Sequence, residues 1–144
     1  MSPVVRPDVH TLFHIDLTWF DKNGRDLREE MHAILCDQDR ARYPTPDDAG
    51  IVDRIHPVTA EVARVDALWE AIADHCGLQP GFIAPTTPLT TAVFRALLAN
   101  GNQPMSPEQL HQRIGKSNPS AILKLLMGGE IENGIIPFEK KGSQ

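Results

Sequence analysis

"MSPEQLHQRIGKSNPSAILKLLMGG", residues 105–129, carries the strongest folding signals in this chain. Two short apolar stripes flank a Gly115-Lys116-Ser117-Asn118 turn. Ser106 is placed to cap a helix, Pro107 suits its first position, and Gln109 completes a capping box. Met105 before the cap and Leu110 at N4 can form a hydrophobic staple. Leu110 and Ile114 share the inward face, and Gly115 stops the helix. Asn118, or Ser117, caps the next helix, and Pro119 is preset for its first turn. Ile122, Leu125 and Leu126 are its inward residues, and Gly128-Gly129 end it.

The pattern extends on both sides. Upstream, Thr90, Val93, Phe94, Leu97 and Leu98 recur at helical spacing, predicting a helix from about Thr90 to Asn100 with Gly101 as its stop. Downstream, Asn133-Gly134 is a preferred two-residue hairpin turn, flanked by Ile131 on one side and Ile135 and Ile136 on the other. Three helices and a hairpin over residues 89–139 resemble a winged helix-turn-helix domain. The residues carrying the resemblance are Leu110, Ile114, Gly115, Ser117, Ile122, Leu125 and Leu126.

That resemblance implies a small DNA-binding transcriptional regulator whose partner is double-stranded DNA. Ser117, Asn118, Ser120, Ala121 and Lys124 would meet the major groove, where Asn reads adenine edges. Arg113, Lys116, Lys140 and Lys141 would neutralise phosphates. The alternative is a non-enzymatic protein-interaction or dimerisation module that uses the same scaffold without nucleic acid. Charge leaves both open. The net charge is −5, but residues 1–84 carry −7 and residues 85–144 carry +2. Neither part is strongly basic.

The proline-rich stretch "GLQPGFIAPTTPL", residues 77–89, places a boundary between an acidic α+β region, 1–84, and a winged-helix-like region, 85–144. In the first region, "VHTLFHIDLTWF", residues 9–20, alternates apolar and polar positions and predicts a strand. After the Asn23-Gly24 turn, Arg25–Arg28 is a candidate for a second hairpin strand. The stronger reading of that segment is a short helix to about Cys36, capped by Asp26, with Leu27, Met31, Ile34 and Leu35 inward. Residues 37–57 read as a long polar loop with at most a short strand at 51–55. Val58, Val62, Val65, Trp69, Ile72 and Cys76 fall at spacings of 4, 3, 4, 3 and 4, predicting one amphipathic helix from 58 to 76. Its bland use is core packing. Its sharper use is a homodimer or partner seam through Val62, Val65, Trp69 and Ile72. The expected fold class is therefore α+β, mainly helical.

Chemistry is sparse at this level. No phosphate loop, nucleophile elbow or zinc-protease helix occurs, so no enzyme and no cofactor are expected. No metal site is expected either. His10 and His14 lie too far apart along a strand. His14, Asp16, His32 and Cys36 would need a strand and a helix to converge, and His75 and Cys76, as neighbours in a helix, would point apart. Two cysteines, no signal-like apolar run and no long apolar span predict reduced thiols in a cytoplasmic protein without membrane contact.

Overall fold

The computed structural model describes residues 6–129 and 131–139. The chain is α+β, and among the described residues it has short helices and two small antiparallel sheets. The elements are β1 (Phe13–Ile15), α1 (Thr18–Lys22), α2 (Leu27–Ala33), α3 (Asp37–Arg42), β2 (Ile51–Ile55), β3 (Val62–Asp66), α4 (Ala67–Asp74), α5 (Leu89–Ala99), α6 (Pro107–Ile114), α7 (Pro119–Met127) and β4 (Ile135–Pro137).

The C-terminal helices begin and end where their caps direct. Ser106 accepts from the Gln109 N–H, and the Gln109 side chain accepts from the Ser106 N–H in return. Gly115 takes the left-handed conformation, φ 79°, that closes α6. Asn118 caps α7 by accepting from the Ala121 N–H at 2.8 Å. Leu97, Leu98, Leu110 and Ile122 are fully buried. Burying each such side chain is worth about 1.5–3 kcal/mol.

The expected wing is not formed as a hairpin. Asn133 and Gly134 both have positive φ, as a tight turn requires, but no strand forms at Ile131. β4 instead pairs with β1, Phe13 facing Pro137 and Ile15 facing Ile135. The other edge of β1 is already occupied. Phe13 exchanges backbone hydrogen bonds with Met105, at 2.8 and 2.9 Å. The Asn102 amide does the same for Ile15, imitating a neighbouring strand. β1 therefore sits in the middle of a small sheet assembled from sequence-distant pieces, and this draws β4 away from Ile131. The predicted strand over residues 9–20 shrinks accordingly to Phe13–Ile15, and α1 comes after it.

Asp26 caps α2 as expected, accepting from the Arg28 and Glu29 N–H groups. The long loop is corrected in part: residues 37–57 contain α3 and a 3-10 turn at Pro46–Asp48, while β2 falls at 51–55, where the sequence allows a short strand at most. The single helix over 58–76 is a second correction. Residues 62–66 pair with β2 as an antiparallel ladder, and the helix starts only at Ala67. Asp66 explains the switch. It caps α4 by accepting from the Leu68 N–H, and it pairs with Arg28 of α2 at 2.7 Å. Val58 and Val62 consequently stand in solvent, 85% and 61% exposed, while Ile72 is buried. Val62, Val65, Trp69 and Ile72 lie on no common helix face, so the seam drawn from the sequence is not formed.

Core residues from both sides of segment 77–89 join one hydrophobic cluster, including Phe13, Phe20, Met31, Leu68, Ile72, Leu97, Leu110 and Ile122. Gly77 matters to this join. A Cβ there would lie 2.7 Å from Ala99 Cβ and 2.5 Å from the Ile72 carbonyl oxygen. Only glycine lets the turn after α4 pack this closely on α5. Among the described residues, no helix is long and apolar enough to cross a membrane.

A candidate metal centre

The turn that Gly77 permits begins with His75 and Cys76. α4 ends at Asp74, and His75 leaves the helical conformation with φ −137° and ψ −72°. A 3-10 turn, Cys76–Leu78, comes next. The divergence of neighbouring helical side chains is thereby lost, and His75 and Cys76 both reach one point. Cys36 and Asp39 approach the same point from α3. Cys36 is the extended residue just before that helix, and Asp39 is its buried residue.

The four side chains offer two sulfurs, one ring nitrogen and one carboxylate oxygen, all within 4.8 Å of one another. Cys36 Sγ and Cys76 Sγ are 3.0 Å apart. Asp39 Oδ2 lies 2.6 Å from His75 Nδ1, 3.0 Å from Cys76 Sγ and 3.4 Å from Cys36 Sγ. Cys36 Sγ is 3.5 Å from His75 Nδ1. The Cys36 N–H donates to Cys76 Sγ at 3.2 Å, fixing the two segments together. His75 Nε2 faces the Gln79 amide at 3.4 Å, consistent with a ring that donates through Nδ1 to Asp39.

Electrostatics here come from burial and hydrogen bonding. Burial raises the Asp39 pKa, but hydrogen bonds from Cys76, His75 and Cys36 outweigh it and hold the carboxyl below its usual range. Burial, then the neighbouring Asp39 carboxylate and Cys36, push the Cys76 thiol well above its ordinary value. The cluster is thus a carboxylate surrounded by hydrogen-bonding groups, among them the Cys76 thiol, whose proton the site holds tightly. A divalent cation reverses that balance, because it stabilises thiolate and carboxylate together.

The donor set suits zinc. Thiolate, imidazole and carboxylate are its ordinary ligands, at about 2.3 Å for sulfur and about 2.0–2.2 Å for nitrogen and oxygen. A tetrahedron with those bonds has an S–S edge of about 3.8 Å. The pair at 3.0 Å is closer than that, and opening it by less than about 1 Å would make room for the ion. A cavity of about 310 Å³ lies against Cys36 and Cys76, with Gln79, Phe82 and Arg95 in its wall. Solvent ions therefore have a route to the half-buried Cys36.

Spacing along the chain groups Cys36 with the wrong partners. His32 Nε2 contacts the Tyr43 carbonyl at 2.6 Å, His14 lies edge-on to Phe138, and Asp16 accepts from Thr18. Asp39 has no place in that grouping, although Cys36-x-x-Asp39 spans one helical turn. His75 and Cys76 diverge only on the assumption of a continuous helix, which the neighbouring Gly77 already weakens.

The residues expected to contact DNA are distributed differently. Arg113 donates to the Gly77 carbonyl. Lys116 donates to the Pro85 carbonyl at 2.9 Å and to that of Thr87. Both cations therefore staple the proline-rich segment to α6 and its turn. Ser117 holds a positive φ of 61°, and its carbonyl meets His111 Nδ1. Asn118 is the α7 cap. Ser120 and Lys124 lie on α7, Lys124 exposed and Ser120 in its first turn. Lys140 and Lys141 lie outside the described residues. Comparison with family models, with curated proteins and with solved structures returns no match.

Proposed function

We propose that this chain is a zinc-binding protein in which Cys36, Asp39, His75 and Cys76 hold one Zn²⁺. The observation that carries the reading is the convergence of four ligand atoms within 4.8 Å from two segments of chain. All four belong to residue types that bind zinc, and two are thiols. The ion would clamp the start of α3 to the end of α4, replacing a cluster of thiol and ring hydrogen bonds by four metal bonds. Binding free energy at such a site becomes folding free energy. Asp39 is the weakest ligand of the four in this chemistry, and it is the position where exchange for water would start.

Titration with Co²⁺ tests the reading. The expected result is one equivalent per chain, with thiolate charge-transfer absorption and the intense visible bands of a tetrahedral ion, displaced by Zn²⁺. Cys36→Ser and Cys76→Ser should each weaken the charge-transfer band and lower affinity by at least about tenfold, since even loss of an outer-shell partner costs about 10–100-fold. Weak binding that ignores both substitutions would end the proposal.

A second reading concerns α6 and α7. Their tight connection, with Gly115 and Ser117 both at positive φ, and the outward Lys124 support the nucleic-acid proposal drawn from the winged-helix resemblance. With Arg113 and Lys116 occupied by carbonyls, the expected phosphate contacts are few, and affinity is modest and salt-sensitive. A mixed-sequence duplex should bind at low salt, and Lys124→Ala should lower the salt slope by about one contact. No binding at tens of micromolar protein would leave the protein-interaction alternative. The exposed Ile51, Ile55, Val58 and Val62 of the β2–β3 hairpin are the feature that favours that alternative.

A further inference from the structure

We infer that Cys36 and Cys76 form a peroxide-oxidisable thiol pair that closes into an intrachain disulfide. The inference uses the side chains of the proposed zinc site but not the ion, so it stands or falls separately from metal binding. Three observations carry it. The sulfurs are 3.0 Å apart although their residues are 40 positions apart in sequence. A disulfide needs about 2.05 Å, so closure asks for a shift of about 1 Å between two segments already joined by the Cys36 N–H to Cys76 Sγ bond. The two thiols also differ in access. Both border the 310 Å³ cavity, but Cys36 is only half-buried, whereas Cys76 is 1% exposed.

That asymmetry assigns the roles. A hydroperoxide enters by the cavity, and Cys36 Sγ attacks its terminal oxygen. The O–O bond breaks, the Cys36 proton leaves with the departing oxygen as water or alcohol, and Cys36 becomes a sulfenic acid. Cys76 Sγ then attacks Cys36 Sγ. The S–S bond forms, the S–O bond breaks, and the hydroxyl leaves as water with the Cys76 proton, for which Asp39 Oδ2 at 3.0 Å is the nearest relay. Two thiols lose two electrons, and the peroxide gains them. Burial of Cys76 beside Cys36 favours this resolution over further oxidation of the sulfenic acid, because the resolving sulfur is already in place.

Metal-free full-length protein treated with hydrogen peroxide tests the inference. The expected product is monomeric, lighter by about 2 Da, with Cys36 and Cys76 linked in its peptide map and restored by a dithiol reductant. Cys76→Ser should stop at a sulfenic acid on Cys36 that a cyclic dione traps. Cys36→Ser should consume peroxide at least about tenfold more slowly, because the remaining thiol is shielded. A disulfide between two chains, sulfinic acid as the main product of the wild-type protein, or no loss of thiol while a small free thiol reacts would each overturn it.

Discussion

Two parts of this molecule are held together by different physics. The α5–α7 region is dry. Leu97, Leu98, Leu110 and Ile122 are fully buried, and the ends of α6 and α7 are closed by Ser106, Gly115 and Asn118. The junction of α3 with the end of α4 is polar. Its centre is a carboxylate, an imidazole and two thiols, with Asp39 and Cys76 buried among them. Hydrophobic burial is indifferent to protons, trace metals and oxidants at fixed temperature, whereas the cluster's interactions depend on all three. The first region should respond only to changes of shape, and the second to changes of solvent.

The largest effect should come from shape. Leu97→Ala removes a fully buried side chain of α5 and should cost about 2–5 kcal/mol in urea unfolding. The loss should be the same with or without Zn²⁺. A Zn²⁺-dependent loss would mean that the two regions are coupled. Zn²⁺ itself should act only through the cluster. At free zinc one hundred times the wild-type dissociation constant, wild-type protein should gain about 2.7 kcal/mol, seen as a raised melting temperature, and Cys76→Ser should gain no more than about 1.4 kcal/mol.

Next in size is a local cap. Ser106→Ala opens the capping box of α6 and should cost about 1 kcal/mol, with the same loss in the presence and absence of zinc. The cluster should show the opposite pattern. The folded state raises the Cys76 pKa, so the native protein binds that proton more tightly than the unfolded chain does. Metal-free protein is therefore fully stabilised by this group below the ordinary thiol value of 9.0 and loses that stability as pH rises beyond it. Denaturant midpoints across that range should fall for the wild type and flatten for Cys76→Ala. The smallest effect belongs to the hairpin tip. Val58, 85% exposed, should tolerate Val58→Ser within about 0.5 kcal/mol in the same assay.

The contrast also explains which features are legible in the residues alone. Caps and stripes are local, so Ser106, Gln109, Gly115 and Asn118 mark α6 and α7 without reference to the rest of the chain. Asp26 marks α2 in the same way. The stripe from Val58 to Cys76 misleads because a 3–4 spacing of β-branched residues fits a strand followed by a helix as well as one helix. Asp66 decides between them by capping α4 and by pairing with Arg28, 38 positions away. The wing fails similarly, since β1, Met105 and Asn102 compete for the sheet from a distance. The cluster is the hardest to see. His75 and Cys76 converge only because the helix stops before them, and Asp39 joins only once α3 forms within an apparent loop. The residue types are visible in the sequence, but the turn that aims them is not.

X-ray absorption at the zinc edge, on protein loaded with one equivalent of Zn²⁺, would settle the identity of the ligands. Two sulfur neighbours at about 2.3 Å and two nitrogen or oxygen neighbours at about 2.0–2.2 Å are expected. A coordination shell of nitrogen and oxygen alone, with no sulfur, would contradict the zinc assignment.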